Sequence, residues 1–157
     1  MLNRRQFLEA ARGAACGCAA CPLLAIFAPQ ARAADAGEVD AGAVEDYRRA
    51  GVYDLTKQGR PFFLVNRKGR LYAVSSTCTH KRVTLKAAKD GSGFKCPRHG
   101  SLFDLSGKVT KAPARKSLPR HAIRLDASGT RVLVDTSTSF RPSDWDDPAA
   151  SVELKAE

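Results

Sequence analysis

The sequence predicts an all-β fold of antiparallel strands interrupted by two Cys/His loops. Three observations predict it. Short apolar runs alternate with polar turns between residues 52 and 136. Past residue 50, helical periodicity is confined to a brief stretch at 83–89. The only two cysteines downstream of residue 21 each have a histidine close behind, as Cys78-Thr-His80 and Cys96-Pro-Arg-His99.

The elements follow in chain order. Residues 1–33 look like an address. Arg4-Arg5 is followed by Gln6, Phe7 and Leu8, then by an uncharged run of sixteen residues at 13–28, then by Ala31-Arg32-Ala33. A basic start, a short apolar stretch and an A-x-A site make a signal peptide, with cleavage expected after Ala33. The paired arginines followed by Phe-Leu resemble the twin-arginine export signal, which carries folded proteins across a bacterial inner membrane. Asn3 replaces the usual Ser or Thr, and Glu9 the frequent Lys. Retention as a membrane anchor is the alternative. The uncharged run is shorter than the roughly 20 residues of a spanning helix and contains Pro22. Cys16, Cys18 and Cys21 lie inside the apolar stretch and leave with it, so the exported chain keeps two thiols.

Residues 34–50 begin small and acidic and read as a linker; the domain proper is expected at 51–138. The runs 62–65 and 71–74 flank a turn at 66–69 and read as a β-hairpin. The stretch 121–136 repeats the pattern about a turn at 126–129, and 101–109 adds a third hairpin about Ser106-Gly107. His121 falls in a strand and is expected at the surface. Residues 139–157 are acidic and contain proline; they read as a flexible tail, with Trp145 as a possible docking point.

Charge is unevenly distributed. Between residues 57 and 124 there are seventeen Lys or Arg against two acids, Asp90 and Asp104, whereas 141–157 holds two basic and five acidic residues. A basic body suggests partners with an acidic docking surface. Nucleic acid is the rival for such a charge, but the chain has no DNA- or RNA-binding motif and aromatics make up only 7%. Lys81, Arg82, Lys95 and Arg98 stand beside the Cys/His loops, either as a docking patch or as ordinary solvated charges.

Two thiols and two imidazoles in paired loops fit a tetrahedral zinc or an iron–sulfur cluster, and a Cys78–Cys96 disulfide would account for the thiols alone. Zinc ligands usually come grouped as Cys-x(2–4)-Cys and His-x(3–5)-His. Here each loop supplies one of each kind, which suits a binuclear centre with both cysteines on one iron and both histidines on the other.

Cys78-Thr-His80 with Cys96-Pro-Arg-His99-Gly100-Ser101-Leu-Phe103-Asp104 resembles the Rieske 2Fe-2S motif. Ala112-Pro113-Ala114, followed by Leu118-Pro119-Arg120, resembles the proline loop that covers the cluster in that family. The resemblance spans residues 52–136. It implies a Rieske-type antiparallel β-sandwich with a small cluster-binding subdomain formed by two loops. It also implies one 2Fe-2S cluster per subunit, held by Cys78, His80, Cys96 and His99, with the histidine edges facing solvent. Imidazoles in place of two thiolates leave such a cluster less negative, with potentials of about −150 to +300 mV against about −400 mV for plant-type ferredoxins.

In quinol-oxidising members a serine and a tyrosine hydroxyl raise the potential further, and a disulfide joins the two loops. Ser101 matches the serine. Phe103 stands at the tyrosine position without a hydroxyl, and Val83 and Arg98 occupy the disulfide positions. The expectation is therefore a mid-range potential and no loop disulfide. The implied function is exported one-electron transfer, as a periplasmic carrier or as the small subunit of a periplasmic oxidoreductase, with protein donors and acceptors and no substrate of its own. An arsenite-oxidase-like small subunit, beside a large catalytic partner, is the alternative. A quinol–cytochrome c reductase subunit fits less well, and a self-contained Rieske oxygenase needs a longer chain.

Overall fold

The computed structural model describes residues 37–154. The export signal, its cleavage site and the last residues of the tail lie outside the described residues. Within them, strands form two antiparallel sheets, as the fold class predicts. The larger sheet contains β1 (Glu38–Ala43), β2 (Gly51–Asp54), β3 (Phe62–Arg67) and β4 (Arg70–Ser75). The smaller one is a meander of β5 (Lys86–Ala87), β6 (Gly93–Lys95), β7 (Leu102–Asp104) and β8 (Val109–Lys111). The chain then returns to the larger sheet as β9 (Arg120–Leu125), β10 (Arg131–Phe140) and β11 (Val152–Glu153). The order in the large sheet is β1-β10-β9-β4-β3-β2, with β11 added to β4.

The hairpin β3–β4 is the hinge of the architecture. Its register runs from Phe62↔Ser75 to Arg67↔Arg70, closed by Lys68-Gly69, both in the left-handed region at φ 55° and 77°. That two-residue turn matches the right-handed twist of the flanking strands. Phe62, Phe63, Leu64 and Val65 are all 0% exposed, so both faces of the strand are buried and the apolar run is continuous instead of alternating. Phe62, Leu64, Leu71 and Ala73 face a core shared with Ala41, Ile123, Val132 and Val134. Phe63, Val65, Tyr72 and Val74 face a second core shared with Leu85, Phe94, Phe103 and Leu118 from the small sheet and its connections. Each of the Phe, Leu, Ile and Val side chains among them contributes about 1.5–3 kcal/mol by burial. Two strands thus support both halves of the fold.

Four sequence expectations are corrected. The stretch read as a linker forms β1, paired with β10 from Glu38↔Asp135 to Ala43↔Arg131, and a 3-10 turn at Val44–Tyr47 whose Val44 and Tyr47 enter the core. The described part of the tail is anchored at three points: β11 pairs with β4, Ala150 is fully buried, and the Arg120 guanidinium lies between the Tyr72 ring at 4.0 Å and the Trp145 ring at 4.3 Å. Residues 83–89 contain no helix but the short strand β5, preceded by a bridge between Thr77 and Thr84. His121 is buried, with its ring edge-on to Phe62 at 6.2 Å. The physical reason is common to the four. β1 and β11 join the large sheet by pairing with β10 and β4, Trp145 packs on Arg120, and such contacts across long sequence separations override weak local preference.

Candidate metal centre

Both Cys/His loops are built on one plan. In the first finger, Leu85 N–H donates to Ser76 O at 2.8 Å, Cys78 N–H to Val83 O at 2.9 Å, and Arg82 N–H back to Cys78 O at 2.9 Å. In the second, Cys96 N–H donates to Ser101 O at 2.9 Å and Gly100 N–H to Cys96 O at 3.1 Å. Each cysteine is the last paired residue before a four-residue turn, Thr79-His80-Lys81-Arg82 or Pro97-Arg98-His99-Gly100. Each turn closes with a left-handed residue, Arg82 at φ 54° and Gly100 at φ 73°. Sequence reading missed this equivalence. Its one signal was Gly100, four places after Cys96; Arg82, in the matching place of the first finger, gives none.

The shared plan sets the thiols inward and the imidazoles outward. Cys78 is 0% and Cys96 1% exposed, and both are free thiols, so they form no disulfide with each other. They abut the second core, where Phe94 stacks on Phe63 at 4.6 Å and pairs across the sheet with Phe103. Burial opposes ionisation of Cys96. The backbone N–H groups of His99 and Arg98, the adjacent Cys78 thiol and the Arg98 charge outweigh it, so its pKa lies below the ordinary thiol value. His80 is half-buried and His99 exposed, with ring centroids 5.0 Å apart and planes at 74°. Desolvation, then the neighbouring His99 and Lys81, hold the His80 pKa below the usual imidazole value. His80 Nδ1 is buried without a hydrogen-bond partner.

The proline loop is tied to both fingers, which no sequence signal announced. Ser101, fully buried, accepts a hydrogen bond at Oγ from Ala114 N–H at 3.0 Å, which leaves its own proton free to donate. Thr79 Oγ1 donates to Lys116 O at 2.6 Å. Pro113, just before those ties, is half-buried. Phe103 is 2% exposed and offers no hydroxyl. All seven residues singled out in the sequence therefore belong to this unit or its cover.

The donor set fits a binuclear centre. A buried imidazole nitrogen without a partner is unfavourable unless something coordinates it, and the two adjacent thiols beside it are metal ligands once ionised. Among the described residues no three His, Cys, Asp or Glu side chains converge on one metal position. A tetrahedral zinc needs four ligands about one point, whereas paired thiols and paired imidazoles satisfy two irons at two protein ligands each.

A family model described as "Rieske [2Fe-2S] domain" matches residues 37–122, more than half of the chain. This chain belongs to the Rieske family. Proteins of that family bind a 2Fe-2S cluster and exchange electrons with partner proteins. The ferredoxin component of the naphthalene 1,2-dioxygenase system of Pseudomonas aeruginosa is 27% identical over 101 residues, 63% of this chain and 95% of that protein. The cytochrome b6-f complex iron-sulfur subunit of Parasynechococcus marenigrum is 33% identical over 73 residues, 46% of this chain and 41% of that one. Among solved structures, the plasma membrane Rieske protein PetC3 of Synechocystis PCC 6803 aligns with a TM-score of 0.47 and 31% identity, over 61% of this chain and 97% of its own. Among the described residues no helix is long and apolar enough to cross a membrane.

Proposed function

We propose that this chain is an exported Rieske one-electron carrier, or the small subunit of a periplasmic oxidoreductase, in which Cys78 and Cys96 hold one iron of a 2Fe-2S cluster and His80 and His99 the other. The observation that carries the reading is the segregation of ligand types: buried, adjacent thiols beneath two imidazoles that meet at the surface. When bound, the cluster takes up one electron and gives it back.

The protein supplies the setting for that step. Backbone N–H groups of Arg98 and His99 stabilise the thiolate at Cys96. Phe63, Phe94 and Phe103 keep water from the inner face, and the exposed His99 edge is the exit through which a partner takes the electron. Ser101 keeps one free hydroxyl proton and Phe103 has none, which supports a potential above oxygenase-type ferredoxins and below quinol oxidases. Partners are a protein donor and a protein acceptor, and in the subunit case a large catalytic chain. The twin-arginine pair at Arg4-Arg5 supports export to the periplasm, since a cluster loaded in the cytoplasm needs a route for folded cargo.

The test is the electron paramagnetic resonance spectrum of dithionite-reduced protein expressed from Ala34 with iron–sulfur assembly available. A rhombic signal with average g below that of all-cysteine ferredoxins is expected in the parent and lost in Cys96→Ser. A colourless protein holding one zinc would overturn the reading. Export is tested by fusing residues 1–33 to a reporter that is active only when exported folded, with Arg4→Lys/Arg5→Lys expected to retain it in the cytoplasm.

A further inference from the structure

The small sheet has two ends of opposite character. In a meander, the turns β5–β6 and β7–β8 lie at one end and the turn β6–β7, which carries His99, at the other. Between residues 75 and 119 the acids are Asp90 and Asp104, and both sit at the end away from His99. Each is engaged in its own turn, Asp90 accepting from Ser92 N–H at 3.1 Å and Asp104 from Lys108 N–H at 2.9 Å. At the His99 end, Lys81, Arg82, Arg98, Arg115 and Lys116 are all exposed. The ion pairs among the described residues lie on the large sheet and its neighbouring turns: Arg48–Glu45, Arg70–Glu153, Arg124–Glu38 and Arg131–Asp40. Four cations of the large-sheet half are thus held in ion pairs, whereas the cations at the His99 end have none among the described residues.

Two further features mark this end. Arg82 holds a left-handed conformation at φ 54°, where glycine, as in the second finger, fits without strain. Beside the first finger a cleft of about 550 Å³ runs from Thr79 past Lys116 and Ser117 to Ser139 and Arg141. It makes the charged end concave and adds a sixth cation.

We infer that this end is the docking face for an acidic redox protein, gripped by Arg82, Arg98, Arg115 and Lys116 around the exposed His99 edge and by the cleft leading to Arg141. The inference rests on the electron-transfer reading above and specifies where and by what charge the partner binds. A redox protein is the occupant because the face surrounds the edge through which electrons leave; a lipid surface or nucleic acid there would cover the exit and accept nothing.

The experiment compares holoprotein with two double variants of equal charge change, Arg115→Glu/Lys116→Glu at the His99 end and Lys89→Glu/Lys108→Glu at the other. Binding by calorimetric titration and electron transfer by stopped flow are measured with an acidic c-type cytochrome and with a basic one. At about 10 mM ionic strength, where charges act over roughly 30 Å, the first variant is expected to lose about tenfold or more in both affinity and rate for the acidic cytochrome. The second variant loses less than about threefold, and the difference closes near 1 M salt. Equal losses in the two variants would show that only net charge matters and overturn the proposal, as would preference for the basic cytochrome or tighter capture by anionic vesicles. Recording the rhombic signal first separates the failures. A protein that binds the acidic cytochrome through this face without that signal keeps the docking site and loses the electron-transfer reading.

Discussion

Three positions of positive φ, Arg82 and Gly100 in the fingers and Gly93 in β6, have different surroundings, and their substitution should separate conformational cost from steric cost. At Gly100, φ is +73° and an added Cβ would meet nothing within 4 Å. Gly100→Ala therefore costs only the left-handed penalty of about 1–2 kcal/mol. The loss of unfolded-chain freedom offsets about 0.4–1 kcal/mol of that. The net loss is about 1 kcal/mol. Arg82→Gly runs the same exchange in reverse and should stabilise by about 0.5–1 kcal/mol. At Gly93, φ is +154° and an added Cβ would lie 2.0 Å from Phe103 O and 2.9 Å from Asp104 Cα. Those atoms belong to the paired backbone of β7 and can move only by opening the β6–β7 ladder beneath Cys96. Gly93→Ala should cost more than about 4 kcal/mol, among the exceptional values for single substitutions.

The assay is urea unfolding followed by far-ultraviolet circular dichroism, with the visible band of the holoprotein as a second probe. Per kcal/mol the thermal midpoint should move by about 4 °C for a domain of this size. The expected order is Arg82→Gly above the parent, Gly100→Ala slightly below it, and Gly93→Ala far below. If Arg82→Gly destabilised by more than about 1 kcal/mol, the two-finger equivalence would be refuted, because its side chain would then outweigh its backbone strain. A well-tolerated Gly93→Ala would refute the close approach of β6 and β7.

Other expectations are independent of these. Ser101→Ala should lower the midpoint potential by about 40 mV for each kcal/mol by which its donated hydrogen bond strengthens on reduction, measured by spectroscopic redox titration; an unchanged potential with an intact spectrum would remove Ser101 from the cluster's surroundings. It should also cost about 1–3 kcal/mol of stability, since Ala114 N–H loses its acceptor. Desolvation, opposed by the Thr138 backbone and Asp135, holds the buried His121 below the usual imidazole pKa. The folded state thus binds fewer protons than the unfolded one, and the stabilisation present above about pH 6.5 should fall by up to about 1.4 kcal/mol per pH unit below it. His121→Leu should flatten that profile. Trp145→Ala removes the ring from Arg120 and should cost about 1–3 kcal/mol and speed proteolysis within residues 141–154; equal resistance to proteolysis would show that β11 alone fixes the segment.

What the sequence disclosed and what it hid divide by the range of the interaction. The candidate ligands were legible because Cys-x-His and Cys-x-x-His-Gly are read within five residues, and each finger closes on itself through hydrogen bonds from Cys78 and Cys96. The hairpin β3–β4 was legible because its apolar runs and Lys68-Gly69 turn are contiguous, though the turn proved tighter than the four residues expected. β1 was not legible. Its partner β10 lies some ninety residues on, as in Arg131–Asp40, and nothing in a small acidic stretch foretells that pairing. The tail failed likewise, since a two-residue strand and one tryptophan fix it. His121 illustrates the converse: a polar residue in a strand reads as solvent-facing until Phe62 and β10 cover it. Arg120, buried beside it, is tolerable only because two rings and the Ser106 carbonyl surround its charge.

The two fingers also explain why their spacings differ by one residue. Both turns have the same length and the same closing bonds, yet histidine is the second turn residue in one and the third in the other. A turn directs successive side chains differently, so an offset of one lets fingers of like plan, both feeding the second core, bring their imidazoles together at 5.0 Å and 74°. The cysteines need no such offset. They hold the same position before each turn, deep against Phe94 and Phe103; at Cys96 burial raises the cost of the charge and backbone N–H groups outweigh it. Neutral imidazoles tolerate the surface; thiolates do not need it. The sulfur donors are therefore innermost, with half-buried His80 and exposed His99 above them. This order leaves the outermost edge free for a partner while the rest stays dry.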